Sequence, residues 1–211
     1  MKMKRNDFAI VVTAPSGAGK TTIIRRVLKD LPDVDFSVSA TTRPMRSGER
    51  EGIDYYFISK EEFKKQIDSD EFVEWANVHE NFYGTQKKEL DRIYKAGKIP
   101  LLDIDVQGSK SLRIKNFDTV RIFIVPPSLS ILEERLGKRG TDSQEQIKIR
   151  LSNAVSEMEQ YSMSDYILVN DDLSQTASVF KSIVTAELHK TKRMSDFAKK
   201  ILEDRDDNSI R

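Results

Sequence analysis

Ala14-Pro-Ser-Gly-Ala-Gly-Lys-Thr21 is the stretch that decides the architecture. It matches the phosphate-loop pattern G-x-x-x-x-G-K-[ST] at every position but the first, where Ala14 stands in place of glycine. Gly17 and Gly19 let backbone N–H groups curl around phosphate oxygens with no Cβ in the way. A helix starting behind the loop adds the positive end of its dipole. Lys20 brings a mobile cation to the β- and γ-oxygens of a nucleoside triphosphate, and Thr21 offers a hydroxyl to Mg²⁺. Ala14 costs on the order of 1 kcal/mol if its φ is positive and little if it is negative. The competing reading is a glycine turn with an incidental lysine. The flanks argue against it. Phe8-Ala-Ile-Val-Val-Thr13 is the continuously apolar run of a strand buried on both faces. Beyond Lys20, Ile23, Ile24, Val27, Leu28 and Leu31 recur at helical spacing until Pro32 stops them.

Working outward, residues 36–41 alternate. This predicts a half-buried strand with Phe36, Val38 and Ala40 inside and Ser37, Ser39 and Thr41 on an open, hydroxyl-lined face. A polar loop over 43–54 leads to an aromatic strand at 55–58. Ser59 and Glu62 form a capping box for a helix over 60–68, and a strand follows at 72–76. A helix over 86–95 and a strand over 99–104 ending in acids come next. A strand at 120–125 is closed by Pro126-Pro127. Leu129, Leu132 and Leu136 mark a helix halting at Gly137 and Gly140. Ile147, Leu151, Ala154, Val155 and Met158 mark another, with Asp142 and Glu145 placed to cap it. Residues 166–169 read as a strand, and Val179, Ile183 and Leu188 define a terminal helix before a charged tail expected to fray. Strands alternating with helices predict an α/β doubly wound parallel sheet.

Composition narrows the function. The 211 residues fit one domain with insertions. Lys plus Arg is 35 against 34 Asp plus Glu, so a chain of net charge +1 is no general polyanion binder. No aromatic platform lies among Arg43, Arg46 and Arg50, which argues against nucleic acid as a partner. The absence of cysteine excludes a disulfide framework, thiolate zinc sites and cysteine catalysis, and two histidines exclude a histidine-rich metal centre. No apolar run reaches the ~20 residues needed to span a bilayer, so the expectation is a cytoplasmic protein with no membrane partner.

The motifs together resemble the guanylate kinase family over residues 8–190. The resemblance rests on the phosphate loop, Ser-Val-Ser-Ala-Thr-Thr-Arg-Pro-Met-Arg-Ser-Gly-Glu (37–49), Gly-Ile-Asp-Tyr-Tyr-Phe (52–57) and Phe-Val-Glu-Trp-Ala (72–76). It continues through Asn-Phe-Tyr-Gly-Thr (81–85), Leu-Asp-Ile-Asp-Val-Gln-Gly (102–108), Arg-Gly-Thr (139–141) and Val-Asn-Asp-Asp (169–172). It implies phosphoryl transfer from ATP to GMP with Mg²⁺, by a monomer or homodimer. The implied fold is a P-loop core (1–35, 86–127, 163–190) with a small α+β GMP-binding insert (36–85), a helical lid (128–162) and a charged tail (191–211). ATP would be bound by Ala14, Pro15, Ser16, Gly17, Ala18, Gly19, Lys20, Thr21, Thr22 and, near adenine, Asn170. The GMP phosphate would be held by Arg43, Arg46, Tyr55 and Tyr83, with Glu49 beside them. Guanine would be read by Ser39, Glu74, Thr85 and Asp105. Asp103 is assigned to the metal's water shell or to Lys20, and Lys20, Arg135, Arg139 and Arg150 to catalysis.

The chemistry agrees with the resemblance. Guanine shows a ring N–H beside an amine, and one carboxylate such as Glu74 accepts both. Adenine would set a lone pair against it, a mismatch that discriminates by factors of about 10⁴. Hydroxyls of Ser39 and Thr85 suit the guanine carbonyl. Planar arginines suit a phosphoryl group whose charge spreads over its equatorial oxygens. Two alternatives remain at this stage: a non-catalytic binding module of the same fold, and a kinase of another small phosphate ester. Intact Lys20 and Thr21 oppose the first, and the guanine-reading set opposes the second.

Overall fold

A parallel strand covered by helices on both faces has no solvent side, and Ala9–Thr13 is buried along its whole length. The computed structural model describes residues 8–78, 80–138 and 144–208. In chain order its elements are β1 (Ala9–Thr13), α1 (Lys20–Asp30), β2 (Val34–Ser37), β3 (Ala40–Thr41), β4 (Tyr56–Phe57), α2 (Lys60–Asp68), β5 (Phe72–Val78), β6 (Asn81–Gln86) and α3 (Lys87–Lys95). There follow β7 (Ile99–Asp103), α4 (Val106–Ile114), β8 (Thr119–Val125), α5 (Leu129–Gly137), α6 (Gln144–Met158), a 3₁₀ turn (Tyr161–Met163), β9 (Tyr166–Val169), α7 (Leu173–Leu188) and α8 (Thr191–Asn208).

Five strands form one sheet in the order β2-β7-β1-β8-β9, every pair parallel. The two-residue period of β1 sorts its side chains between two cores. Ile10 and Val12 join Ile23, Ile24 and Val27 of α1 and Phe180 and Val184 of α7. Ala9 and Val11 join Leu90 of α3 and Leu112 of α4. This is the expected doubly wound α/β architecture. It brings the C-terminal ends of β1 and β7 together, where open α/β sheets bind ligands.

A second sheet, β4-β3-β6-β5, lies within residues 40–86. Phe63 of α2 is fully buried there, stacked on Phe72 at 4.3 Å and on Phe82 at 5.3 Å between ring centroids. Helix α2 starts as expected: the Ser59 hydroxyl accepts a hydrogen bond from the Glu62 N–H.

Three expectations are corrected, and two elements are added. Residues 36–41 are not one strand. Phe36 and Ser37 finish β2 in the parallel sheet, and Ala40 and Thr41 make β3 in the second sheet. The parallel sheet therefore reaches two residues past the boundary expected at 35. Nor is there an open hydroxyl face, because Ser37 and Thr41 are buried where the chain crosses between sheets. The tail is not frayed at its start: it forms α8, with Arg193 buried against the Phe8 ring at 3.6 Å. Finally, β6 and α4 are elements that residues 81–86 and 106–114 did not announce. In β6, Gly84 breaks the strand signal, yet a Cβ there would lie 2.9 Å from the Glu74 carbonyl oxygen, so glycine is what lets β5 approach.

Candidate active site

The phosphate loop leaves β1 at Ala14 and enters α1 at Lys20. Gly17 and Gly19 have φ of +89° and +91°. Both conformations favour glycine. Ala14 does not share that region, so it carries no backbone strain and the missing first glycine costs little. A Cβ on Gly17 would press on Leu132 and Leu136 of α5, which packs directly behind the loop. Gly19 caps α1 without any side chain, leaving the first N–H groups of the helix to an anion. A cavity of about 320 Å³ opens here. Of the residues expected at ATP it is lined by Ala14, Pro15, Ser16, Gly17, Gly19, Lys20, Thr21 and Thr22, joined by Asp105 and Glu157. Ala18 is fully buried instead, and its carbonyl accepts from the Asn170 side chain.

Sequence reasoning missed Glu157. This α6 carboxylate accepts a hydrogen bond from the Ser16 N–H at 3.1 Å. The loop thus presents an outward N–H that already takes an anionic oxygen. The glutamate sits amid an apolar helix stripe, and its sequence context carries no motif.

Asn170, expected near adenine, stands behind the phosphate loop. It is buried, its side-chain N–H₂ donates to the Ala18 carbonyl at 2.7 Å, and its own carbonyl accepts from Arg135 Nη2 at 3.0 Å. It braces the loop from behind and lines neither cavity described here. Arg135 Nη1 is buried and finds no hydrogen-bond partner among the described residues. Arg150 is half-buried on α6. Arg139, with the Arg-Gly-Thr motif and Asp142, lies outside the described residues.

A second cavity, of about 190 Å³, adjoins the first. Lys20 and Asp105 line both. The other walls are Ser39, Tyr55, Glu74, Ala76, Val78, Tyr83, Gly84, Asp103 and Ile104. Lys20 is ion-paired with Asp103 at the end of β7, and its ammonium lies 3.4 Å from the Ile104 carbonyl oxygen. Of the two partners expected for Asp103, Lys20 is the one it pairs with here.

Glu74 is 2% exposed. One carboxylate oxygen accepts from the Thr85 N–H at 2.9 Å and the Thr85 hydroxyl at 2.6 Å. The other faces Gly108, where a Cβ would collide with it. Burial pushes the Glu74 carboxyl from 4.5 up to about 7, against the pull of the Thr85 hydroxyl and helped by the charge of Asp105. Thr85 is fully buried, so its hydroxyl orients Glu74 rather than lining the cavity. Asp105 caps α4 by accepting from the Gly108 N–H at 2.8 Å. Gly108 is thus a position where only a glycine leaves room for the Glu74 carboxylate, a constraint that the motif 102–108 did not disclose.

Arg43 stands over the Tyr55 ring, 5.4 Å from its centroid, and Tyr55 meets Tyr83 edge-on at 6.0 Å. Burial, then the Asp103 charge, raises the Tyr55 hydroxyl above its usual value. Glu49 holds Arg43 Nη2 at 2.7 Å and accepts from the Arg46 N–H at 2.8 Å. Its carboxyl is lowered, first by the Arg43 hydrogen bond and then by that backbone one. Glu49 thus braces the arginine loop. Arg46 itself is exposed, and neither arginine lines the second cavity.

The guanylate kinase family model matches residues 6–187. The guanylate kinase of Bartonella quintana is 47% identical over 193 residues, covering 91% of this chain and 87% of that protein. The guanylate kinase of Agrobacterium fabrum is 44% identical over 204 residues, covering 95% and 93%. The crystal structure of guanylate kinase from Anaplasma phagocytophilum superposes with a TM-score of 0.72 at 34% identity, covering 90% of this chain and 92% of that one. The chain belongs to the guanylate kinase family.

Proposed function

We propose that the adjoining cavities are the two halves of one transfer site, ATP in the phosphate-loop half and GMP in the half walled by Glu74. The activity of the chain is that of an ATP:GMP phosphotransferase, giving ADP and GDP. One observation carries the residue-level reading: Glu74 is a buried carboxylate with one oxygen fixed by Thr85 and the other turned toward the space beside Gly108. An acceptor pair so held matches the N–H pair on one edge of guanine. Ser39 and Asp105 complete that half, while Arg43, Tyr55 and Tyr83 form the end at which a phosphate monoester would sit.

Lys20 is the cation that lines both halves among the described residues. Its ammonium would leave Asp103 for the bridging phosphate oxygens as ATP binds. The orphan N–H of Arg135 supports its role as the cation that follows the migrating phosphoryl group. No strong general base is required, because the attacking oxygen of GMP is already deprotonated near neutral pH. Thr21 and Asp105 face the same cavity and offer only oxygen donors, which fits Mg²⁺. Among the described residues no cluster of three or more metal-ligating side chains forms a cage, so phosphates and water would supply the rest of the shell. The ion would neutralise charge on the triphosphate.

No helix among the described residues is long and apolar enough to cross a membrane. A cytoplasmic location and a monomer or homodimer remain parts of the proposal. Calorimetric titration of GMP tests it: saturable heat with wild type and at least about tenfold weaker binding by Glu74→Gln are expected. Equal affinities would contradict the assignment of Glu74.

A further inference from the structure

We infer that Glu89 is a positioning residue for GMP, fixing the point where the chain crosses from the parallel sheet to the four-stranded sheet and so the aim of Ser39 and Tyr55 into the second cavity. The inference rests on the GMP reading of that cavity. The two sheets are joined along the chain by residues 38–39, between β2 and β3, and by the β6-to-α3 junction at 86–87. Glu89 lies in the first turn of α3, at the second junction, and is 2% exposed. From there it reaches the first. Its Oε1 accepts from the Val38 N–H at 3.1 Å, which is the first backbone donor after the β2 ladder ends at Ser37. Its Oε2 accepts from the Tyr56 hydroxyl of β4 at 3.2 Å.

Arg92 closes the cluster. It donates to the two Glu89 oxygens at 2.9 and 3.1 Å and to Asp35 of β2 at 3.2 Å. One carboxylate therefore ties β2, β4 and α3 to a single point. Ser39 is held on both sides of that point: Glu89 takes the N–H before it, and the Tyr56 N–H donates to the Ser39 carbonyl at 2.9 Å. Tyr55 immediately precedes Tyr56. A buried carboxylate is kept only when its lone pairs are matched, and all four of these bonds are donations to it. An amide in its place presents acceptors on one side only, so it must release either the crossing N–H and one Arg92 bond, or leave its N–H₂ facing Arg92 and Tyr56.

Steady-state ADP formation tests the inference with wild type, Glu89→Gln and Tyr56→Phe, varying GMP at saturating Mg-ATP and ATP at saturating GMP. Melting curves are recorded beside the kinetics. The KM for GMP is expected to rise about fivefold or more in Glu89→Gln and about twofold or more in Tyr56→Phe, while the KM for ATP and kcat stay within about twofold of wild type. Tyr56→Phe removes one hydroxyl from the cluster and carries the test if Glu89→Gln does not fold. A KM for GMP unchanged in the folded variants, or a parallel rise in the KM for ATP, overturns the positioning role. Wild type that forms no ADP with GMP overturns the GMP reading itself.

Discussion

Two residues carry most of the chemistry, and each has a separable signature. Lys20 is held by Asp103 and the Ile104 carbonyl, so it is tethered but not needed for the core. Lys20→Ala should lower kcat by a factor on the order of 10³ while its far-UV spectrum and melting temperature stay near wild type. Retained turnover would remove the phosphate-loop claim. Glu74 predicts a pH effect of definite sign. Burial raises its carboxyl to about 7 from 4.5, so the folded chain binds that proton more readily than the unfolded one. Its contribution to stability is therefore intact below about pH 4.5 and is lost as pH rises through 7, a loss of about 3 kcal/mol. In the absence of GMP, Glu74→Gln should melt close to wild type at pH 5 and clearly above it at pH 8. A difference that does not grow with pH would mean Glu74 is ionised at no cost. GMP binding should strengthen over the same range, since guanine N–H groups need the ionised form.

At the scale of elements, the four-stranded sheet depends on one ring stack. Phe63→Ala should cost about 3–5 kcal/mol. It should raise the KM for GMP more than that for ATP, because Phe63 packs only within the sheet that carries Tyr83 and Glu74. Equal effects on both KM values would contradict this division. Elements set by local signals were legible in the sequence: the Ser59 cap gave α2 its start, and the apolar run of residues 8–13 gave β1. Elements set by long-range packing were not. The alternation of 36–41 runs unbroken through a crossing between two sheets, and the crossing is fixed by Glu89 on a distant helix. Strand β6 was hidden by Gly84, which interrupts the strand signal although β5 needs a glycine there to approach. Helix α4 is hidden because an aspartate in a motif suits a ligand as well as it suits a helix cap, which is what Asp105 is. The candidate site was legible as a set of residue types. Which of them face the cavities was not, since Thr85, Asn170 and Glu49 act from behind.

At the scale of the molecule, the end opposite the site is closed by α8. Arg193 lies over the Phe8 ring and donates to Asp118 at 2.7 Å. Phe8 precedes β1, whereas the phosphate loop follows it, so the strand separates this cluster from the chemistry. Arg193→Ala should lower stability by about 1–3 kcal/mol through the lost stack and one lost ion pair, Asp118 keeping Lys192 at 2.9 Å, with KM values unchanged at a temperature where the variant is folded. A shifted KM for either nucleotide would show that the two ends are coupled. The account as a whole stands on a site that accepts one purine monophosphate beside ATP. The direct measurement is coupled ADP formation at fixed Mg-ATP with GMP, AMP, CMP and UMP offered in turn, for wild type and Glu74→Gln. The account predicts turnover with GMP at least about 10³-fold above the other three for wild type, and a collapse of that preference in the variant. Comparable rates with AMP and GMP, or a preference that survives Glu74→Gln, would contradict it.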